Sequence, residues 1–306
     1  MKMLFIKKNK TIRIAKMAYR RYAALKHRIM YKLYDNIFND ISNNCNCRCP
    51  FCYNDFSKIS KIVLMSKATF EKVLQLLPLA RDKFYFSCSF EPTLHPQFIE
   101  FLKMIPKQFR KKILFTTNLS TNISDEMIQE LSHSGIHNIN ISLDSFSPSV
   151  YESLRKGARF AHFINNLKRL VHVFSNNPKA PQLRYITMVL RQNLDEIPRI
   201  LERCFKEYLS IGNEFRSSFK VLHISDEWKQ KYFISNEEWQ QLEYRLSKMS
   251  YKFFIYRPDK ITSWESPRLF INSEGIVTAY GTTEKFDINQ ISDPVIFFKE
   301  LIKKPV

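Results

Sequence analysis

From residue 36 onward, short apolar runs alternate with longer amphipathic stretches, which is the pattern of repeated βα units and a parallel sheet. The apolar runs 37–42, 83–88, 112–117, 138–143, 183–190 and 219–224 read as strands. The amphipathic stretches 67–77, 96–105, 125–133, 161–174 and 196–208 read as helices. Ser124 stands where a helix N-cap is expected, with Asp125 and Glu126 in the first turn. Six strands with helices between them predict an open, partial (β/α) barrel, whose active residues belong at the carboxyl ends of the strands. After His223 the pattern changes to a polar helix over 236–249. A hairpin over 268–280 follows, turning at Ser273-Glu274-Gly275, and then a closing helix over 293–303. Residues 15–34 also have helical composition.

Composition refines this division. The 306 residues are 44% hydrophobic, enough for one large core. No apolar run approaches the roughly 20 residues that span a bilayer, and lysines interrupt the amino-terminal apolar residues, so no membrane span and a cytoplasmic location are expected. The formal net charge is +19, and residues 1–44 hold eleven basic residues against two acids. The chain therefore divides into a basic amino-terminal extension (1–35), an α/β core (36–225) and a carboxyl-terminal extension (226–306). The basic segment suits either a solvated packing helix or contact with an anionic substrate or partner, nucleic acid included. The five glycines form neither a G-x-G-x-x-G nor a G-x4-G-K-[ST] spacing, which argues against a Rossmann site or a P-loop.

Four of the six cysteines crowd into eight residues, Cys45, Cys47, Cys49 and Cys52. That arrangement is not a disulfide framework; it points to metal or cluster ligation. Cys45, Cys49 and Cys52 form C-x3-C-x2-C directly after the first predicted strand, and three such thiolates can hold three irons of a cubane while leaving the fourth iron open. A four-cysteine zinc site that adds Cys47 is the alternative, although structural zinc sites usually pair two separated C-x2-C knuckles. Cys88 and Cys204 read as substrate-site thiols or as small buried hydrophobes. His95 is open in the same way.

Here the sequence resembles the radical S-adenosylmethionine (SAM) superfamily, including Phe51 just before the last cysteine of the motif. Further segments resemble that family in order along the chain: Ser89-Phe90-Glu91-Pro92-Thr93-Leu94-His95-Pro96, Thr116-Thr117-Asn118, Ile141-Ser142-Leu143-Asp144, Tyr151 to Gly157 as Y-x-x-x-R-x-G, and Asn193 to Ile197. The resemblance spans about residues 37–225. It implies a partial (β/α)6 TIM-like barrel, one [4Fe-4S] cluster on Cys45, Cys49 and Cys52, and S-adenosyl-L-methionine on the open iron. It also implies reductive cleavage to a 5′-deoxyadenosyl radical that abstracts hydrogen from a substrate, a peptide or a sugar- or nucleoside-type metabolite. An electron donor such as flavodoxin or ferredoxin is implied as well.

Carried over by motif, the resemblance assigns the SAM amino group to the segment Ser89, Phe90 and Glu91. Its ribose hydroxyls or carboxylate go to Ser142 and Arg155, the pocket wall to Asn118 and the adenine border to Phe51. Cys47 is left out of the ligand set, and Ser89-Phe90 stands where the family carries a glycine pair. The segment 267–277 is similar to the start of a SPASM extension, yet no cysteine follows position 204 to hold an auxiliary cluster. An RNA-modifying or RNA-binding protein, with residues 7–28 as a basic arm and a structural cluster, is the competing class.

Overall fold

The computed structural model describes residues 33–216, 225–257, 267–279 and 283–302. The amino-terminal basic arm and all but the last two residues of the helix expected over 15–34 lie outside the described residues. Tyr34, placed at the end of that helix by composition, instead opens the first strand.

The βα repeat is present. Strand β1 (Tyr34–Asn39) leads through the cysteine loop to α1 (Lys67–Leu74), β2 (Ala80–Ser87) and α2 (Phe98–Met104). Next come β3 (Ile113–Thr117), α3 (Asp125–His133), β4 (Asn138–Ser142), α4 (Pro148–Leu154) and α5 (Phe160–Ser175). Strand β5 (Gln182–Met188), α6 (Ile197–Glu207) and β6 (Ser210–Arg216) complete the six units. Ser124 caps α3 as expected, accepting a hydrogen bond from the Met127 N–H, and Ser66 caps α1 from Thr69 in the same way.

The sixth strand departs from expectation. It was expected over 219–224, which lies outside the described residues, but the strand that pairs with β5 is 210–216. Gly212 and a buried Asn213 lower its strand propensity, and the pairing with β5 overrides that weak local signal.

The carboxyl-terminal segment adds strands at both ends of the sheet. After α7 (Asp226–Tyr232) and α8 (Asn236–Ser247), β7 (Phe253–Tyr256) extends the sheet beyond β6. The hairpin of β8 (Arg268–Ile271) and β9 (Ile276–Ala279) returns to the opposite end, where β8 lies parallel to β1 with Phe38 opposite Phe270. Strand β10 (Lys285–Asp287) follows, and α9 (Pro294–Leu301) closes the chain. The result is one ten-stranded sheet in the order β10-β9-β8-β1-β2-β3-β4-β5-β6-β7, parallel from β8 through β7. This is the α/β partial-barrel architecture expected, widened by strands that the sequence pattern had set apart as an extension.

Strand alternation divides the sheet into two faces. Phe84, Phe86, Phe115, Ile139, Ile141 and Leu183 are essentially fully buried in the core with the helices. There Phe70 stacks on Phe101 at 4.4 Å, and Phe86 meets both Phe70 and Phe98. Each such side chain contributes about 1.5–3 kcal/mol on burial. The alternate positions, among them Asn36, Tyr85, Thr116, Asn140 and Ser142, face a cavity instead.

Candidate functional site

The cavity has a volume of about 800 Å³ and lies at the carboxyl ends of the central strands. Cys45, Cys49, Cys52, Phe51, Ser89, Phe90, Glu91, Asn118, Ser142 and Arg155 all line it, so every residue that the resemblance assigned to the cluster or to SAM comes to one place.

The cysteine loop is shaped by later motifs. The Arg48 N–H donates to the Lys156 carbonyl at 2.7 Å, and the Arg48 guanidinium bonds the Cys45 and Cys47 carbonyls. The same guanidinium lies 4.1 Å from the centre of the Phe56 ring, against which Phe90 packs edge-on. The aromatic side chain at 90, where the resemblance expects glycine, is thus used to pack against the cysteine loop. Gly157 has φ +97° and sits against the loop backbone, so both its conformation and its contact require glycine.

All six cysteines are free thiols. Hydrogen bonding from Cys47 holds the Cys45 and Cys49 thiols below the ordinary value, those same bonds push Cys47 up, and burial pushes Cys52 up to about 11. Cys47 is only 2% exposed and touches Ser120 Oγ at 3.8 Å, which places it in the core. A zinc ion needs ligands that converge on one point, and no three His, Cys, Asp or Glu side chains among the described residues do so. In a cubane each thiolate binds its own iron, so the sulfurs stand further apart. The loop's four free thiols all line the cavity, and the three less buried ones, at C-x3-C-x2-C spacing, fit that group.

Glu91 is buried without a cation. Its Oε1 accepts from Thr93 N–H, Thr93 Oγ and Thr117 Oγ, and its Oε2 accepts from the Asn118 N–H at 2.6 Å. Burial raises its pKa and these donors oppose the shift. Asn118 in turn donates to Asn46 Oδ1 at 2.7 Å and points the same amide at Cys45 Sγ, 3.7 Å away. The next residue, Leu119, adopts a left-handed φ of 54°, held by Thr117 Oγ accepting from its N–H.

Arg155, at the end of α4, sets its Nε 2.7 Å from Asp144 Oδ2; the Asp144 side chain is fully buried and the Arg155 side chain 10% exposed. Asp144 Oδ1 accepts from the Met188 N–H, and Met188 packs with Phe51 and Leu154. The Arg155 guanidinium lies 5.7 Å from the Phe51 ring centre and 3.9 Å from Cys49 Sγ.

Sequence reasoning assigned no role to two acids. One is Asp144, quoted only as part of a motif. The other is Asp40, just beyond β1, whose Oδ1 accepts from Ser87 Oγ, Cys88 N–H and Ser89 N–H at 3.0–3.1 Å. Asn54 pins the same turn through the Ser89 carbonyl at 2.6 Å. The one signal for either acid was its position at the end of an expected strand. Of the ambiguous residues, Cys88 lines the cavity while Cys204 is fully buried in the packing face of α6, its thiol pushed up to about 12. His95 is structural: Nδ1 accepts from the Gln97 N–H, which leaves Nε2 to donate to the Met65 carbonyl.

Comparison with known proteins agrees with this geometry. SuiB of Streptococcus suis, solved with its precursor peptide SuiA, superposes with a TM-score of 0.68 at 13% identity, covering 94% of this chain and 70% of that one. The protein anSMEcpe, solved with bound AdoMet, superposes at 0.61 with 15% identity, covering 88% and 84%. A GTP 3′,8-cyclase of Listeria welshimeri is 23% identical over 206 residues, 66% of this chain and 59% of that protein. A tungsten-containing aldehyde ferredoxin oxidoreductase cofactor-modifying protein of Pyrococcus furiosus is 25% identical over 175 residues, 54% and 46%. The chain spans less than two thirds of the length of these curated relatives. Residues 39–204, just over half of the chain, match the family described as the Radical SAM superfamily. With its cysteine loop, its strand-end motifs and its partial barrel in the arrangement found here, this chain belongs to the radical SAM superfamily.

Proposed function

We propose that this protein is a [4Fe-4S], SAM-dependent enzyme that abstracts hydrogen from a peptide or from a sugar- or nucleoside-type metabolite. The observation that carries the reading is the convergence of Cys45, Cys49 and Cys52 with Asn118, Ser142 and Arg155 on one cavity. When bound, the cluster and SAM supply a 5′-deoxyadenosyl radical.

The chain's own residues bind, orient and exclude water. Cys45, Cys49 and Cys52 hold the cluster, and Cys47 buttresses the loop from the core. Because the Glu91 carboxylate already takes four donors, main-chain carbonyls of the Ser89–Glu91 segment receive the SAM ammonium. Arg155, anchored by Asp144, presents its guanidinium to the carboxylate. Ser142 takes a ribose hydroxyl, and Phe51 covers the adenine with Met188 behind it. No helix of the described residues is long and apolar enough to cross a membrane. A low-potential donor such as flavodoxin or ferredoxin and an oxygen-sensitive cluster together suit the cytoplasm. The two substrate classes follow relatives: one is named for GTP cyclisation, and a structural neighbour was solved with a peptide.

The test is anaerobic reconstitution with iron and sulfide, followed by reduction with dithionite in the presence of SAM. Formation of 5′-deoxyadenosine is expected. Stoichiometric zinc, or a reconstituted cluster that never cleaves SAM, overturns the reading.

A further inference from the structure

At the carboxyl end of β2 a side chain takes over from the sheet. The β1–β2 ladder pairs Phe38 with Tyr85 and goes no further, and the register of β2 against β3 slips between Tyr85 and Ser87. Just past that last pair, Asp40 Oδ1 accepts from Ser87 Oγ at 3.1 Å, from the Cys88 N–H at 3.1 Å and from the Ser89 N–H at 3.0 Å. Successive N–H groups of a straight strand point to opposite sides; two that converge on one oxygen curl the chain into a nest around an anion. The cysteine loop holds the same turn as well. Asn54 donates to the Ser89 carbonyl at 2.6 Å, and the Glu91 N–H donates to the Asn44 carbonyl at 3.0 Å.

This turn carries Ser89 and Phe90 where the resemblance expects a glycine pair. Neither residue has a positive φ, so its course uses no backbone conformation that glycine alone supplies readily. A turn of ordinary residues at an irregular strand end needs another means of fixing its path, and the Asp40 carboxylate is that means. Asp40 also lines the cavity beside Ser89, Phe90 and Glu91. Its three donors carry no charge, which leaves its own negative charge to favour a cation at that corner.

We infer that Asp40 is a positioning residue for SAM: by gathering the Cys88 and Ser89 N–H groups it sets where the carbonyls of Ser89–Glu91 stand, and so whether they reach the ammonium. A carbonyl shifted by about 1 Å no longer makes a hydrogen bond whose usual length is about 2.9 Å. The inference rests on the proposed function for the identity of the ligand, and it gives a role to a residue that reading leaves unused.

The test titrates the reconstituted full chain calorimetrically with SAM and with 5′-methylthioadenosine, which keeps the nucleoside and the sulfur but has neither ammonium nor carboxylate. Asp40→Ala should weaken SAM by about tenfold or more, the worth of one charge-assisted contact, and leave 5′-methylthioadenosine within about twofold. Asp40→Asn, which keeps an acceptor oxygen, should retain clearly more of the SAM affinity than Asp40→Ala. Ser87→Ala removes one donor to Asp40 and should weaken SAM by about threefold, which keeps the inference refutable where Asp40→Ala does not fold. Iron content and circular dichroism verify the fold of each variant. SAM affinity indifferent to Asp40→Ala and Ser87→Ala, both ligands weakened alike, or Asp40→Asn losing as much as Asp40→Ala overturns the inference. Formation of 5′-deoxyadenosine by the wild type is scored separately. Cleavage of SAM with affinity indifferent to Asp40 overturns this inference alone, and SAM affinity that depends on Asp40 without cleavage overturns only the proposed function.

Discussion

Gly157 and Asn46 meet backbone to backbone, so closely that a Cβ on residue 157 would stand 2.4 Å from the Asn46 carbonyl oxygen. The glycine of one motif is thereby the seat of another that lies 111 residues earlier in the chain (157 − 46). Gly157→Ala should force the cysteine loop to move and place alanine at φ +97°, costing about 2–4 kcal/mol. Its thermal midpoint and iron content per chain should both fall; a variant that retains both contradicts the assignment.

The four loop cysteines should separate by role. Alanine at Cys45, Cys49 or Cys52 is expected to abolish the iron–sulfur absorbance after reconstitution. Cys47→Ala should keep it and lose about 1 kcal/mol of stability through the small hole left beside Ser120. Loss of the cluster from Cys47→Ala alone would move Cys47 into the ligand set.

Asp144 and Arg155 form a buried ion pair, and removing one member leaves the other uncompensated. Asp144→Asn and Arg155→Gln should each cost about 3–5 kcal/mol in chemical denaturation. The double variant should cost clearly less than the sum. Additive losses would show that the two charges are not coupled.

Burial lowers the pKa of His95; the bond to the Met65 carbonyl opposes that shift, while Nδ1 accepting from the Gln97 N–H requires the neutral ring. The unfolded chain therefore takes up a proton near the ordinary value of about 6.5 that the folded chain refuses, so this contribution is present above that pH and is lost as pH falls below it. Between pH 7 and 5 the wild type should lose stability more steeply than His95→Gln. Parallel pH profiles would remove His95 from the acid response.

The parts legible in the sequence were those with a local period or a short motif. Asn138-Ile139-Asn140-Ile141-Ser142 alternates polar and apolar residues, and the structure uses both faces of β4, isoleucine toward the helices and Asn140 and Ser142 toward the cavity. The cysteine spacing and the order of strand-end motifs named residues that the structure brings to one cavity. What failed depended on partners distant in sequence. The strand at 210–216 hides behind Gly212 and Asn213, and only its pairing with β5 discloses it. Nothing near Arg268 says that its strand lies against β1, so the stacking of Phe270 on Phe38 could not be placed. Asp40, near the end of the expected strand 37–42, was given no role because its three donors come from 47 to 49 residues away.

The place of β8 also bears on the order of assembly. Strand β1, which leads into the cysteine loop, is the first strand among the described residues, yet one of its two neighbours comes from residues 268–271. The Tyr34 hydroxyl likewise donates to the Phe298 carbonyl, 264 residues later. During synthesis the cysteine loop hangs from a strand with one bare edge until residues 268–271 have emerged. Contacts of such long sequence separation form late because the loop they close is costly in entropy. The metal-binding loop is therefore held to its final shape only once β8 has been made and docked on β1, so stable iron loading awaits residues 268–271 rather than the emergence of the cysteines themselves.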